Sequence, residues 1–364
     1  MIPMNRRFFL RTTSLALFGA ALPLRAASSA KRGKVLVTIF QRGAVDGLNM
    51  IVPYGERAYY AARPTLAIAQ KDVLDLDGFF GAHPSLAPLV PHWKNRALAI
   101  VHAAGSPDST RSHFDAQDFM ESGTPGVKST RDGFLARALE AKHEESSPLR
   151  AIAISSMTPR IFAGSSALAT PDLTRFASSR AADLFASQYP GAFDAVRLLR
   201  KLPPSTTTYP RNPLGDALSQ IARMIKGNVG LEYAFADVGG WDTHVGQEGQ
   251  LARNLTGFAE AIAAFANDLG SRMNEVTLVT TSEFGRTVNE NGNRGTDHGH
   301  GTAMMILGGG IKGGKVHGKW PGLAREQLFE SRDLAVTTDF RDVFGELLGL
   351  NVFPGYVPKR VGLV

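Results

Sequence analysis

Asp297, His298 and His300 place three side chains that can bind metal ions within four residues. Glycines at 295, 299 and 301 leave the backbone free to fold tightly around a ligand held by these side chains. Imidazole and carboxylate groups together suit a zinc- or manganese-type cation. We therefore predict a divalent metal site here, with an exposed histidine-rich loop as the alternative interpretation.

Four other segments place acids, histidines, arginines or hydroxyls directly after apolar runs that we expect to be strands. In an open α/β sheet, ligands bind beyond the carboxyl ends of the strands, so these segments should meet at one edge. A metal pair there could activate a hydroxyl and hold the oxygens of a phosphate or sulfate ester. The candidate ligands for one or two cations are Asp46, Asp242, His244, Glu283, Asp297, His298 and His300.

Three residues are candidates for chemistry on such an ester. Ser112 could be the metal-activated nucleophile, although Ser109 and Thr110 stand beside it. Arg111 and Arg286 could bind the anionic oxygens through their planar guanidinium groups.

Some candidates also have simpler interpretations. Asp46 could form only a turn with the glycine that follows it, and Asp242 could be a helix cap. His113, next to the candidate nucleophile, could simply pack and donate one hydrogen bond.

Short apolar runs bounded by glycine, proline or polar turns predict buried strands. They cover residues 35–40, 97–101, 151–154, 231–235, 276–280 and 303–307. Apolar residues at three- or four-residue spacing predict amphipathic helices over 255–269 and 339–348. The alternation of strands and helices favours an α/β fold with a doubly wound, mostly parallel sheet covered by helices.

One stretch departs from this alternation. Residues from about 155 to 230 are rich in Ser, Ala, Arg and Pro, and residues 203–210 can continue neither a helix nor a central strand. We interpret the stretch as an inserted, mainly helical lobe within a single domain covering residues 31–364, because candidate site residues lie on both sides of it.

The N-terminus predicts export from the cytoplasm. Arg6 and Arg7 belong to a twin-arginine pattern, an apolar run covers residues 14–24, and small residues follow at 26–30. This is typical of a cleaved signal peptide over residues 1–30, read by the twin-arginine translocon, and an uncleaved anchor is the alternative. The run is too short for a permanent membrane span, so we expect a periplasmic or secreted protein.

The charge balance excludes one class of partner. The formal net charge of +7 falls to +3 once the four arginines of the predicted signal are removed. No basic run with interleaved aromatic residues is present, so we expect no nucleic-acid partner. The chain has no cysteine, which excludes a disulfide framework and a thiolate metal ligand.

The motifs together resemble a twin-arginine-exported bacterial family called "domain of unknown function 1501". The resemblance rests on the signal and on residues 43–49, 111–114, 240–244, 282–287 and 297–301, which span nearly the whole chain. The family is placed with the alkaline phosphatase and sulfatase superfamily. The resemblance therefore implies a doubly wound α/β sheet and descent from metal-dependent ester hydrolases.

Only some of the superfamily's metal-ligand positions have a matching residue in this chain. Asp46 is similar in position to the first metal-binding aspartate, and Asp242 with His244 resembles a metal-binding pair at a spacing of two rather than four. Glu283 lies where an Asp-His pair is expected, and Phe284 replaces the histidine. The resemblance thus implies one or two divalent cations, with zinc, manganese and calcium as alternatives.

The resemblance also implies a reaction. His298 or His300 looks like the last metal-binding histidine of the superfamily, and Ser112 falls near the position of its nucleophile. We therefore expect a periplasmic metal-dependent hydrolase of phosphate or sulfate esters that acts on a small anionic ester or glycan. The alternative is a non-catalytic, sulfatase-like protein that binds an anionic glycan or a partner protein.

Overall fold

The computed structural model describes residues 34–142, 147–188 and 191–364, and the predicted signal peptide lies outside these ranges. Within them, the strands are β1 Val35–Gln41, β2 Ile51–Val52, β3 Leu74–Asp75, β4 Gly81–Ala82, β5 Leu98–Gly105, β6 Ala151–Ala153, β7 Leu168–Ala169, β8 Tyr233–Val238, β9 Val276–Thr281, β10 Thr302–Gly308, β11 Lys315–His317 and β12 Thr338–Asp339.

The α-helices of the same ranges are α1 Gly47–Met50, α2 Arg57–Ala62, α3 Val90–Lys94, α4 His113–Ser122, α5 Phe134–Ala141, α6 Leu173–Ala177, α7 Arg180–Gln188, α8 Ala192–Lys201, α9 Pro213–Lys226, α10 Gln247–Leu269 and α11 Phe340–Leu348. Among these helices, none has both the length and the apolar composition needed to cross a membrane.

Most of the described strands form one large sheet, in the order β11-β5-β10-β9-β1-β8-β6-β7, with β12 also paired to β5. Neighbouring strands of this sheet are parallel except for β10, which runs antiparallel to β5 and to β9. The predicted α/β fold with a mostly parallel sheet is therefore confirmed.

Helices pack on both faces of this sheet. Successive side chains of a strand point to opposite faces, and along β1 Val37 and Ile39 lie in one hydrophobic core while Leu36 and Phe40 lie in another. The first core includes residues of α9 and α10, and the second includes residues of α5 and α11. This confirms the predicted doubly wound arrangement.

Each predicted strand and helix overlaps an observed one, with differences at the ends. The run at 231–235 becomes β8 only from Tyr233, and the helix predicted from 255 begins eight residues earlier, at Gln247. The stretch 155–230 contains α6 to α9 and also β7, which pairs with β6 and so extends the sheet.

The antiparallel direction of β10 decides where the site lies. The residues before β10 meet the same edge of the sheet as the residues after β1, β5, β8 and β9, because those strands run the opposite way. Five separate chain segments therefore come together at the carboxyl edge of the parallel strands.

Candidate metal centre

Three histidines and one aspartate from different elements meet at this edge, and we call them the histidine cluster. His113 is the first residue of α4, Asp242 and His244 lie between β8 and α10, and His298 lies just before β10. His298 Nε2 is 3.0 Å from both His113 Nε2 and His244 Nε2. Asp242 Oδ1 is 2.9 Å from His244 Nε2 and 3.2 Å from His298 Nε2, and Asp242 Oδ2 is 3.4 Å from His113 Nε2.

Each of the three rings is held through its other nitrogen, Nδ1, by an oxygen atom of the protein. The pairs are His113 with Glu283 Oε1 at 2.8 Å, His244 with Asp297 Oδ1 at 3.1 Å, and His298 with the Arg111 carbonyl oxygen at 2.9 Å. Metal-binding histidines typically have this second hydrogen bond, which sets the tautomer and the orientation of the ring.

The ionisation of Glu283 and Asp297 decides which ring nitrogen carries the proton in His113 and His244. Burial opposes ionisation of Glu283, but hydrogen bonds from His113 and Gln117 outweigh it and lower the pKa of Glu283. A hydrogen bond from Asn291 likewise lowers the pKa of Asp297. An ionised carboxylate only accepts hydrogen bonds, so in a neutral ring Nδ1 donates and Nε2 presents a lone pair to the cluster.

The cluster therefore presents three imidazole lone pairs and a carboxylate to the same small space, with no proton between them when the rings are neutral. Ligand atoms of His113, Asp242 and His298 all lie within 4.8 Å of one another, so one divalent cation could bind these three residues, and His244, with its Nε2 3.0 Å from His298 Nε2, is the further candidate ligand. Three nitrogen ligands and one oxygen ligand fit zinc well, whereas calcium prefers oxygen ligands alone. The donor set thus fits a single zinc-type ion.

Arg286 holds the carboxylate of the cluster in place. The Arg286 side chain is buried; its Nη1 donates to Asp242 Oδ1 at 2.7 Å, its Nε donates to Thr296 Oγ1 at 3.1 Å, and its Nη2 donates to the Thr296 carbonyl. Burial raises the pKa of Asp242, but the hydrogen bond and charge of Arg286 outweigh this effect and leave the pKa below its ordinary value. All three guanidinium nitrogens of Arg286 are therefore used inside the protein.

The segments that carry Arg286 and His298 lie unusually close together. The amide of Gly299 donates to the Gly285 carbonyl at 2.9 Å, and the amide of Gly285 donates to the His300 carbonyl at 2.8 Å. A Cβ at residue 285 would lie 1.9 Å from the Gly301 oxygen, and one at residue 299 would lie 2.3 Å from the Arg286 carbonyl carbon. These two glycines are required because any side chain would force the segments apart.

Aromatic residues fix the position of the ligands. Trp241 is buried beside Asp242, donates from Nε1 to the Val238 carbonyl at 2.9 Å, and meets Phe258 edge-on at 5.6 Å between ring centres. Phe284, which replaces the histidine that the resemblance leads one to expect, lies with its ring centre 5.0 Å from that of His113 and 5.1 Å from that of His298.

The structure places Asp46 in a buried ion pair. Asp46 Oδ2 is 2.6 Å from Arg63 Nη1 and also accepts from Gln247 Nε2, and both charged side chains are almost fully buried. Asp46 Oδ1 accepts from the amides of Leu48 and Asn49 and so caps α1. The helix-capping alternative to metal binding, which the sequence suggested for Asp242, is thus observed at Asp46 instead.

Gln247 connects this ion pair to the segments on either side of it. Its side-chain oxygen accepts from Thr243 Oγ1 at 2.8 Å and from Thr296 Oγ1 at 2.6 Å, and its side-chain nitrogen donates to Asp46. Thr243 lies between the two cluster residues Asp242 and His244. The hydrogen bonds of Gln247 therefore tie the ligand segments to the protein core.

Other residues predicted for the site have separate contacts. His300 stacks on Phe329 with ring centres 4.2 Å apart, and burial lowers its pKa to about 4. Arg111 Nη2 lies 2.6 Å from carboxylate oxygens of Glu330 and Asp333, so the guanidinium is held by acids of the protein. Ser112 is exposed, and its Oγ accepts from the Asp115 amide at 3.5 Å as the cap of α4.

Of the predicted metal ligands, the structure thus brings Asp242, His244 and His298 together, with Glu283 and Asp297 orienting the rings. His113 is the cluster residue for which the sequence suggested only packing and one hydrogen bond. The signal that could have found it is its place at the start of a helix, directly after the candidate nucleophile and at the same sheet edge.

Replacing Glu283 by glutamine is expected to weaken zinc binding about 10- to 100-fold, because the amide orients the His113 ring less firmly than a carboxylate. Competitive titration against a zinc-sensitive dye measures the affinity. Glu290→Gln is the matched control, since Glu290 also accepts hydrogen bonds, but from the amides of Thr65 and Leu66 and not from a cluster histidine. Equal affinity of the Glu283→Gln variant and the wild type would show that Glu283 does not support the centre.

The fold and the histidine cluster define an α/β protein with a candidate metal centre at the carboxyl edge of its sheet. The family model described as "Protein of unknown function (DUF1501)" matches residues 218–353, which include Asp242, His244 and His298. This match confirms the resemblance that the sequence motifs indicate. No curated protein matches the chain.

Several solved structures are similar to the chain. The C-terminal periplasmic domain of EcEptC from Escherichia coli, in complex with Zn, has a TM-score of 0.44 at 10% identity, covering 92% of this chain and 87% of that domain. The soluble domain of lipooligosaccharide phosphoethanolamine transferase A from Neisseria meningitidis has a TM-score of 0.43 at 11% identity, covering 90% of this chain and 92% of that domain. A protein in the alkaline phosphatase superfamily from Vibrio parahaemolyticus has a TM-score of 0.35 at 9% identity, covering 77% of this chain and 61% of that protein.

Proposed function

We propose that the protein is a metal-dependent hydrolase of phosphate or sulfate esters, exported by the twin-arginine pathway to the periplasm or beyond. The observation that supports this proposal is the convergence of His113, Asp242, His244 and His298 at a place open to solvent. Their side chains are 24% to 44% exposed, so a small anionic ester can approach them.

We assign one cation to the centre. Asp46, the candidate ligand for a further ion, already has its charge balanced by Arg63 at 2.6 Å. Zinc suits the three imidazoles best, and manganese or calcium are the alternatives. A bound divalent cation would supply Lewis-acid stabilisation of the negative charge on the ester oxygens.

The protein's own residues prepare the site for this chemistry. Glu283 and Asp297 orient two of the rings, and Arg286 holds Asp242. Ser112 is our candidate nucleophile, because its exposed hydroxyl directly precedes His113 at the start of α4. The amino end of this helix also favours the approach of an anion.

Turnover of generic aryl phosphate and aryl sulfate esters by the zinc-loaded protein tests the proposal. We expect hydrolysis of one of them to be lost in Ser112→Ala, which should retain the metal because Ser112 is not a ligand. Ser109→Ala is the matched control, since Ser109 lies in the same loop. A metal-loaded wild type that hydrolyses neither ester would contradict the proposal.

One observation favours the second candidate, a non-catalytic protein that binds an anionic glycan or a partner protein. The guanidinium groups of Arg111 and Arg286, which the sequence suggested for holding the ester, are both bonded to acids of the protein. Bound metal without turnover of either ester would support this candidate over the hydrolase.

A further inference from the structure

Two adjoining clefts lined by basic side chains flank β11, and we call them the basic clefts. Arg96, Lys312 and Lys315 line the first, with a volume of about 320 Å³; Lys315, Lys359 and Arg360 line the second, with a volume of about 380 Å³. Lys315 pairs with Ala99 near the amino end of β5. The basic clefts therefore lie away from the histidine cluster, which lies beyond the carboxyl ends of the strands.

The positive charge of the basic clefts is largely unbalanced within the described part of the chain. Arg96, Lys315, Lys359 and Arg360 form no ion pair there, while Lys312 Nζ donates to the Val364 oxygen at 2.6 Å. The carboxylate lining the second cleft, Asp342, is buried and accepts from the Tyr356 hydroxyl and the Lys359 amide.

This concentration of charge does not reflect the composition of the domain. Six of the seven net positive charges of the chain lie in residues 1–33, so the rest of the chain is nearly neutral. Like charges crowded into clefts repel one another, and they create a positive potential that attracts anions. The arrangement is therefore costly for the isolated protein and becomes favourable when an anion binds.

We propose that the basic clefts bind an extended anionic glycan. Because Lys315 lines both clefts, a ligand with several anionic groups can occupy them together. The lining residues include no Phe, Tyr or Trp on which nucleic-acid bases could stack. Thr337 also lines the second cleft; its exposed hydroxyl donates to the Lys319 carbonyl and can still accept a hydrogen bond from a sugar hydroxyl.

Calorimetric titration with a sulfated heparin-type hexasaccharide tests the proposal on the mature protein at low salt. A chelator is present, so that the histidine cluster cannot contribute through a metal. Exposed ion pairs are each worth on the order of fivefold in affinity. We therefore expect the Lys315→Ala/Arg360→Ala variant to bind on the order of 25-fold more weakly, while Arg253→Ala, which removes an exposed charge on α10, binds like the wild type.

The hexasaccharide is also expected to bind at least about tenfold more tightly than a disaccharide of the same chemistry, because only the longer chain reaches both clefts. Unchanged binding in the double variant would overturn the proposal. Equal affinity for hexasaccharide, disaccharide and inorganic phosphate would show a small-anion site only. Binding to phosphatidylglycerol vesicles without binding to the hexasaccharide would show a membrane-facing surface instead.

Discussion

The zinc content of the purified protein is expected to fall from about one equivalent to below about a tenth when His298 is replaced by alanine. His298 Nε2 lies within 3.2 Å of one ligand atom of each of the other three cluster residues, His113, His244 and Asp242. Its removal takes away the atom that the other three surround. Loss of a direct ligand should weaken affinity by more than the roughly 10- to 100-fold expected for an orienting residue.

Elemental mass spectrometry on untagged protein purified without chelators measures this content. At a free zinc concentration a hundred times the dissociation constant, binding adds about 2.7 kcal/mol to the stability of the folded state. Zinc should therefore raise the melting temperature of the wild type and leave that of His298→Ala unchanged.

His300→Gln is the informative control for this experiment, because His300 is two residues away and stacks on Phe329. It should retain the metal at the wild-type level in the folded fraction. A wild type that takes up no zinc, manganese or calcium would refute the metal centre, and a His300→Gln variant that loses the metal would show that the ligand has been misassigned.

The fold was predictable because the buried strands are short apolar runs separated by helical patterns. The runs at 35–40 and 276–280 correspond to β1 and β9, which pair in parallel at the centre of the sheet. The meeting of the polar segments at one edge of the sheet followed from the same pattern, because residues after parallel strands collect at one edge. This reasoning needs only local sequence, which is why it succeeded.

The exact set of clustered residues was not predictable, because it depends on tertiary contacts. The chain bends at His300 and this side chain packs on Phe329, which follows β11, while His298 Nδ1 is held by the Arg111 carbonyl. His113 joins the cluster only because Glu283, 170 residues away in the chain, orients its ring. Neither partner can be recognised from the spacing of the histidines.

Asp46 is a second residue whose role could not be predicted from the local sequence. A carboxylate after the first strand is compatible with a metal ligand, a turn or an ion pair, and the choice depends on Arg63, whose guanidinium supplies the positive charge. Arg63 lies after α2, with its Nε and Nη2 bonded to the carbonyls of Val288 and Thr287. Nothing in the local sequence around Asp46 indicates this partner.

Replacing Asp46 by alanine is therefore expected to lower the free energy of unfolding by about 3–5 kcal/mol, because it leaves the buried charge of Arg63 without its partner. The Arg63 and Asp46 side chains are 0% and 1% exposed, so water cannot compensate for the loss. Urea denaturation in the presence of a chelator measures this effect separately from metal binding.

The double variant Asp46→Ala/Arg63→Met distinguishes an ion pair from a metal ligand at this position. Removing both charges should restore a large part of the stability, since apolar replacement of a buried pair costs much less than removal of one partner. The double variant should also still bind about one equivalent of zinc, because the four cluster ligands remain. If Asp46 were a ligand, the double variant would lose metal along with the single variant, and the assignment of one cation to the site would have to be abandoned.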